Sequence, residues 1–162
     1  MRPGTRRTTL TAMALCAFVL VAACGPPDPP PPPPAPLSPA AADVADRANH
    51  LRSLRGTPSL QADASLRANA QFHADRLAAG ATTCFGTLWH SPELSSWYAG
   101  FTAAENIACI TGCPSDGAAA VDLWWNDPPH RDNMMRADFT RIGVATRCSG
   151  SVEMVVELFR SG

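Results

Sequence analysis

The chain has 162 residues, 46% of them hydrophobic and 17% charged, with 13 Lys and Arg set against 14 Asp and Glu. That length suits one domain, since compact domains cluster near ~100–150 residues. The near-neutral balance excludes the basic excess that a nucleic-acid binder needs to displace phosphate counterions, so no nucleic acid is expected as a partner. All the positive charge is Arg, and six Cys in so short a chain point to an oxidising compartment once an export signal is found.

That signal opens the chain. Arg2, Arg6 and Arg7 form a positive stretch, and Leu10 to Val21 is an apolar run interrupted only by Thr11. About a dozen apolar residues fall short of a ~30 Å hydrocarbon core, which fits a cleaved signal better than a permanent span. The run ends in Val21-Ala22-Ala23-Cys24 before Gly25, which resembles a bacterial lipobox, where the Cys is lipidated and becomes the new N-terminus. The alternative is a plain secretory signal with an Ala-rich cleavage site. Thr9 stands where a twin-Arg signal favours a large apolar residue, so Sec export is expected. Residues 1–23 therefore read as a lipoprotein signal peptide, 24–39 as a lipidated Cys24 with a Pro-rich tether, and 40–162 as the folded domain. Cleavage removes 23 residues, three of them Arg, and leaves 139 residues with ten Arg against 14 acids, a balance of −4 that disfavours anionic partners. From Pro26 to Pro39 the chain should be extended polyproline II, a spacer of roughly 40 Å at ~3.1 Å per residue.

The domain should begin near Pro39. Ser38-Pro39 is a helix-start signal, Val44, Ala48 and Leu51 give a helical stripe, and Gly56-Thr57-Pro58-Ser59 ends it. A second helix is expected from about residue 60 to 79, with Leu66, Ala70, Ala74 and Leu77 on one face and Gly80 as its stop. Residues 81–114 read as irregular. A third helix should span Asp116 to Trp125, with Trp124 in the core, and a short helical turn follows Pro128-Pro129 at His130 to Met135. The period then changes. Arg141 to Cys148 and Val152 to Phe159 are β-rich runs joined by Ser149-Gly150-Ser151, with Glu153 and Glu157 on one face of the last strand and Val152, Met154, Val156 and Leu158 on the other. Helices first and antiparallel strands last imply an α+β sandwich. Asp43, Asp46, Asp63 and Asp75 are expected on solvated helix faces.

Six segments in order resemble the CAP superfamily, the cysteine-rich secretory and pathogenesis-related proteins, in its short bacterial form. They are Asn49-His50-Leu51-Arg52 with Gly56, Leu66-x-x-x-Ala70-x-x-His73-Ala74-x-x-Leu77, Trp89-His90-Ser91, Ala104-Glu105-Asn106-Ile107-Ala108, Trp124-x-x-Asp127-Pro128-Pro129-His130-Arg131-x-Asn133-Met134-Met135, and Ile142-Gly143-Val144. Ala104 and Pro129 stand where the family has Gly, and Asp127 where it has Ser. The resemblance implies an α-β-α sandwich with a small antiparallel sheet between helices, and a cleft where His90, Glu105, Asp127 and His130 converge.

The residues support part of this independently. His50 and His73 lie on helices, and His73 is expected to be a hydrogen-bonded packing residue. His90 and His130 lie in turns at element ends, where functional residues concentrate. Imidazole binds metal when neutral and moves protons near pH 7. A weak, exchangeable Zn²⁺ or other divalent ion is therefore expected at most, on His90 and His130, with Glu105 as a third ligand or as an acceptor orienting His90. Asp127, two Pro away from His130, is expected to point elsewhere. There is no H-E-x-x-H, G-x-S-x-G or phosphate loop. Cys84, Cys109, Cys113 and Cys148 should form two disulfides. Of the three connectivities, Cys109–Cys113 as a short closure with Cys84–Cys148 as the long tie is favoured. Two functions compete. One is a monomeric, membrane-anchored extracytoplasmic domain binding a small apolar, amphiphilic or cell-envelope ligand. The other is a peptidase-like hydrolase using the His/acid cluster, with or without a metal and with water as nucleophile.

Overall fold

The computed structural model describes residues 36–162; the signal segment with Cys16, Cys24 and the tether up to residue 35 lie outside the described residues. The elements follow in the order α1 (Pro39–Ser53), β1 (Gln61–Ala62), α2 (Ala64–Ala78), α3 (Leu94–Trp97), β2 (Ala103–Thr111), α4 (Ala118–Trp125), α5 (Pro128–Met135), β3 (Phe139–Ser149) and β4 (Val152–Ser161). The strands form one sheet in the order β1-β3-β4-β2. The sheet is antiparallel except at β1, whose two residues pair parallel to Arg141 and Ile142 of β3. The small antiparallel sheet expected between the helices is thus a mixed one. The second helix starts four residues later than its stripe suggests, because Asp63 caps it by accepting from the Ser65 and Leu66 N–H groups at 2.9 and 3.0 Å, leaving Gln61 and Ala62 extended.

Helices cover both faces of the sheet. On one face Leu66, Ala70, Ala74 and Leu77 of α2 pack on Ile107, Ala145, Met154, Val156 and Leu158. On the other, Ala41, Val44 and Ala48 of α1, Val121 and Trp124 of α4 and Met134 of α5 pack on Ala108, Ile142, Val144, Val155 and Phe159. Gly143 is obligatory for the first contact: a Cβ there would overlap the α2 backbone at Leu66 and Arg67. Ser38 caps α1 through the Ala41 N–H at 3.1 Å, and its hydroxyl also meets the Thr146 hydroxyl at 2.8 Å, which fastens the start of the domain to β3.

The structure explains the opening Asn-x-x-Arg pattern. Asn49 clamps the Leu60 backbone at both ends, donating to its carbonyl at 3.1 Å and accepting from its N–H at 2.7 Å. Arg52 is fully buried and donates to the carbonyls of Pro58, Met134, Arg136 and Phe139 at 2.7 to 3.1 Å. It closes the turn after α1 and caps the C-terminal end of α5 with one planar group.

Two expectations are corrected, for residues 103–111 and for Asp63. Residues 103–111, expected to be irregular, form β2 and pair with β4 over their full length. Both faces of β4 are buried, the one carrying Glu153 and Glu157 included. Asp63 is not a solvated acid: besides its cap it holds Arg160 at 2.7 Å. Burial raises its carboxyl, but the Leu66 and Ser65 N–H groups and the Arg160 guanidinium outweigh that and hold it below its ordinary range.

The disulfides are Cys84–Cys109 and Cys113–Cys148, with Cα separations of 5.4 and 5.8 Å, in place of Cys109–Cys113 and Cys84–Cys148. Strand alternation gives the reason. Cys109 shares its face of β2 with Ile107, towards α2, and Cys84 follows α2 on that side. Cys148 shares its face of β3 with Val144 and Ile142, on the opposite side, where Cys113 arrives beyond the end of β2.

Candidate functional site

The site is built around β2, the edge strand. Glu105 points to the α2 side of the sheet and Asn106 to the other. On the first side, Glu105 is buried, and its Oε1 accepts from His90 Nδ1–H at 2.8 Å and from the Ser91 N–H at 2.9 Å. The Glu105 carboxylate therefore fixes both the ring and the chain that carries it, and leaves Nε2 of a 61% exposed imidazole facing outward. The carboxylate's other oxygen, Oε2, has no hydrogen-bond partner among the described residues and lies 3.7 Å from His73 Nε2.

His73 is the packing residue expected from its helix position, with its ring set directly behind the site. It is buried, donates through Nε2–H to the Trp89 carbonyl at 2.9 Å and meets the Trp89 ring edge-on at 4.7 Å. Arg76, one turn along α2, stacks on the outer side of Trp89 at 4.6 Å and pairs with Glu93 at 2.7 Å. Residues 89–93 are thereby stapled to α2 at three points around His90. The Ser91 hydroxyl donates to Glu93 at 2.9 Å and is not directed at an imidazole.

On the second side, His130 Nδ1–H donates to Asp127 Oδ2 at 2.6 Å. The expectation that Asp127 points elsewhere is overturned. Asp127 is the N-cap residue of α5, yet its side chain caps no backbone group, because Pro128 and Pro129 hold the first two helical positions and lack N–H groups. The carboxylate turns instead to the side chain at the third helical position, which is His130. Among the described residues no hydrogen bond joins this pair to the His90–Glu105 pair. The link runs through Asn106, next to Glu105, whose Nδ2 donates to the His130 carbonyl at 3.1 Å. Asn106 also receives Asn133 Nδ2 at 3.0 Å and faces Glu157, its partner in register on β4, at 3.2 Å. Burial pushes the Glu157 carboxyl up to about 8, against the opposing pull of the Asn106 amide and Arg52. Asn106, His73, Asn133 and Glu157 are among the supporting residues that sequence reasoning did not assign to the site; the one signal for Glu157 was an acid inside the apolar run Val155 to Phe159.

His90 and His130 thus each spend Nδ1 on a carboxylate and keep Nε2 free among the described residues, an arrangement suited to accepting a proton, a hydrogen bond or a metal. Among the described residues, three His, Cys, Asp or Glu ligand atoms lie within 4.8 Å of one another only at Cys113, Cys148 and Glu153, where the two sulfurs are bonded to each other. The histidine pairs do not form a closed metal cage of the structural type.

The family model for the cysteine-rich secretory protein family, CAP, matches residues 45–159. Among solved structures, an extracellular SCP-domain protein of Bacillus anthracis is similar at 25% identity and TM-score 0.59, over 79% of this chain and 45% of that one. An outer surface protein of Borrelia burgdorferi is similar at 20% identity and TM-score 0.60, over 75% of this chain and 92% of that one. A cysteine-rich secretory protein of Staphylococcus aureus is similar at 16% identity and TM-score 0.56, over 76% and 39%. The chain thus spans less than half the length of the Bacillus and Staphylococcus proteins. A search of curated proteins finds no match.

Proposed function

Because the chain belongs to the cysteine-rich secretory protein family, we propose that it is an extracytoplasmic, lipid-anchored binding domain that recognises a cell-envelope ligand at the His90/Glu105 and Asp127/His130 pairs. The observation that carries this reading is the pairing itself. Both imidazoles are oriented through Nδ1 and present Nε2, while the neighbouring hydroxyl, on Ser91, is engaged by Glu93. Ligand recognition needs oriented polar groups; covalent catalysis needs an activated nucleophile beside its base. Extracellular and outer-surface relatives support the location, and the Cys24 lipobox with its Pro spacer supports the anchor. No helix of the described residues is long and apolar enough to cross a membrane.

One feature favours a second reading, a hydrolase with water as nucleophile. A buried carboxylate holding an exposed imidazole is the geometry of a general base. Any divalent ion would be held weakly by imidazole nitrogens and released on protonation.

Both readings meet in one experiment. Detergent-purified full chain, wild type and His90→Ala/His130→Ala, is titrated with envelope lipid and peptide fractions, and the fractions are re-analysed by mass spectrometry. Binding that falls at least about tenfold in the variant, with the fractions unchanged, is the expected result. Equal binding by both proteins overturns the site, and new, histidine-dependent products turn the reading to hydrolysis.

A further inference from the structure

Among the described residues strand β2 is an edge, and its unpaired side is only partly closed. The Gly112 N–H donates to the Ser151 carbonyl and the Ser161 N–H to the Thr102 carbonyl, so the even-numbered backbone groups along β2 face β4. The odd-numbered groups face outward. At Ile107 the outward carbonyl is covered by the Trp124 indole N–H at 3.0 Å. Beyond it, the N–H and carbonyl of Cys109 and Thr111 open into a groove of about 530 Å³.

The opposite wall is the outer face of α4, of whose groove residues Ala119 also packs against the core. Ala119, Asp122, Leu123 and Asn126 recur at helical spacing along the groove, and Leu123 is 55% exposed. Asp122 is in no ion pair among the described residues. The groove ends at Asp127, the partner of His130. Its walls therefore offer a row of backbone donors and acceptors, an apolar contact and two carboxylates.

We propose that this groove takes an extended peptide, which adds to β2 at Cys109–Thr111 as a further strand and turns an apolar side chain and a Lys or Arg two residues away towards α4. Side chains of a strand alternate, so residues i and i+2 share the face that meets Leu123 and Asp122. The unpaired backbone supplies affinity, and the alternate side chains supply selectivity. The two carboxylates select a basic residue over an acidic one. The inference deepens the reading of the histidine pairs as a binding site, since a peptide running along the groove reaches Asp127 and His130.

The test uses the full chain in detergent and a fluorescein-labelled hexapeptide, Leu-Thr-Arg-Thr-Leu-Thr. Two isomers of it are N-methylated on alternate residues. Strand addition predicts that one isomer binds at least about tenfold more weakly and the other binds as the parent does, because only one set of N–H groups faces β2. Thr111→Pro deletes an outward N–H and leaves the β4 ladder intact, so a loss of about tenfold or more is expected. Asp122→Asn, which keeps the fold whatever Thr111→Pro does, should weaken the parent severalfold and abolish its preference over the peptide with Glu in place of Arg. Equal binding of both isomers, or no saturable binding up to about 1 mM, overturns the proposal. So does dimerisation of the chain through the same edge, seen as self-association that Thr111→Pro abolishes. Isomer-selective binding that survives His90→Ala/His130→Ala retains strand addition and removes the histidine reading, which keeps the two failures apart.

Discussion

The two faces of the sheet are buried in opposite styles. Under α2 the contact is aliphatic and small, with Leu66, Ala70, Ala74 and Leu77 set on Val156 and Leu158, and its buried polar residues, His73, Ser91 and Glu105, are gathered at the histidine site. Under α1, α4 and α5, four polar side chains, Arg52, Asn106, Glu153 and Glu157, are buried among Val44, Trp124, Met134, Phe139 and Phe159. The first face is held by area removed from water and tolerates any residue of suitable volume. The second is held by buried polar groups with set partners. Arg52, Asn106 and Glu153 each fix a backbone segment, while Glu157 holds the Asn106 amide and keeps Oε1 without a partner among the described residues. This face therefore specifies geometry at the cost of tolerance. The His130 carbonyl is one of the groups that it fixes, through Asn106.

The largest expected effect breaks the polar face at its most connected point. Arg52→Met keeps the apolar stem but leaves four carbonyls without their donor, and should destabilise by roughly 3–5 kcal/mol. Leu66→Ala on the other face should cost about 2–5 kcal/mol by cavity formation alone. Urea denaturation of both variants makes the comparison, and an Arg52→Met loss below about 1 kcal/mol would remove the distinction between the faces.

The second effect has the opposite sign. Glu157 rises from its ordinary 4.5 to about 8 on folding, chiefly by burial. The folded protein therefore holds a proton that the unfolded chain releases, and stability falls as pH rises from about 4.5 through 8. Glu157→Gln should match wild type near pH 5 and be more stable near pH 9 by a few kcal/mol, seen as a separation of the two melting curves with pH. Coincident curves at pH 9 would mean that Glu157 is ionised at no cost beside Arg52.

The smallest effect lies on the α2 side. Asp63→Ala removes the α2 cap and the Arg160 pair and should cost about 1–2 kcal/mol near neutral pH. Because that carboxyl is held below its ordinary range, its contribution is present above the ordinary Asp range and disappears as acid protonates it. Wild type and variant should converge in melting temperature towards pH 2.

This contrast also governs what could be read in advance. The apolar stripe of α2 and the hairpin around Ser149-Gly150-Ser151 are written in local periodicity, and both formed as expected. Strand β2 was not legible, because Glu105 and Asn106 interrupt its apolar alternation and its β character comes from β4 alongside it. The disulfide pairing depended on which face of β2 Cys109 occupies, so it was lost with the strand. The site residues His90, Glu105, Asp127 and His130 were named from the family pattern, with Glu105 orienting His90 as one of two options, but the Asp127–His130 pairing was not. Glu105 and His90 are fifteen residues apart and meet only through the fold, whereas the Asp127 contact follows from two prolines that could have been weighed.

The fastening of Ser38 to Thr146 has a mechanical consequence. A pull on the chain ahead of Pro39 does not meet the free end of a strand. It enters along the axis of α1, whose first turns are buried at Ala40, Ala41 and Val44, and part of it passes sideways through the Ser38 hydroxyl to β3. The load is carried as shear across many side-chain contacts at once, and the ladder between β3 and β4 is not opened one rung at a time.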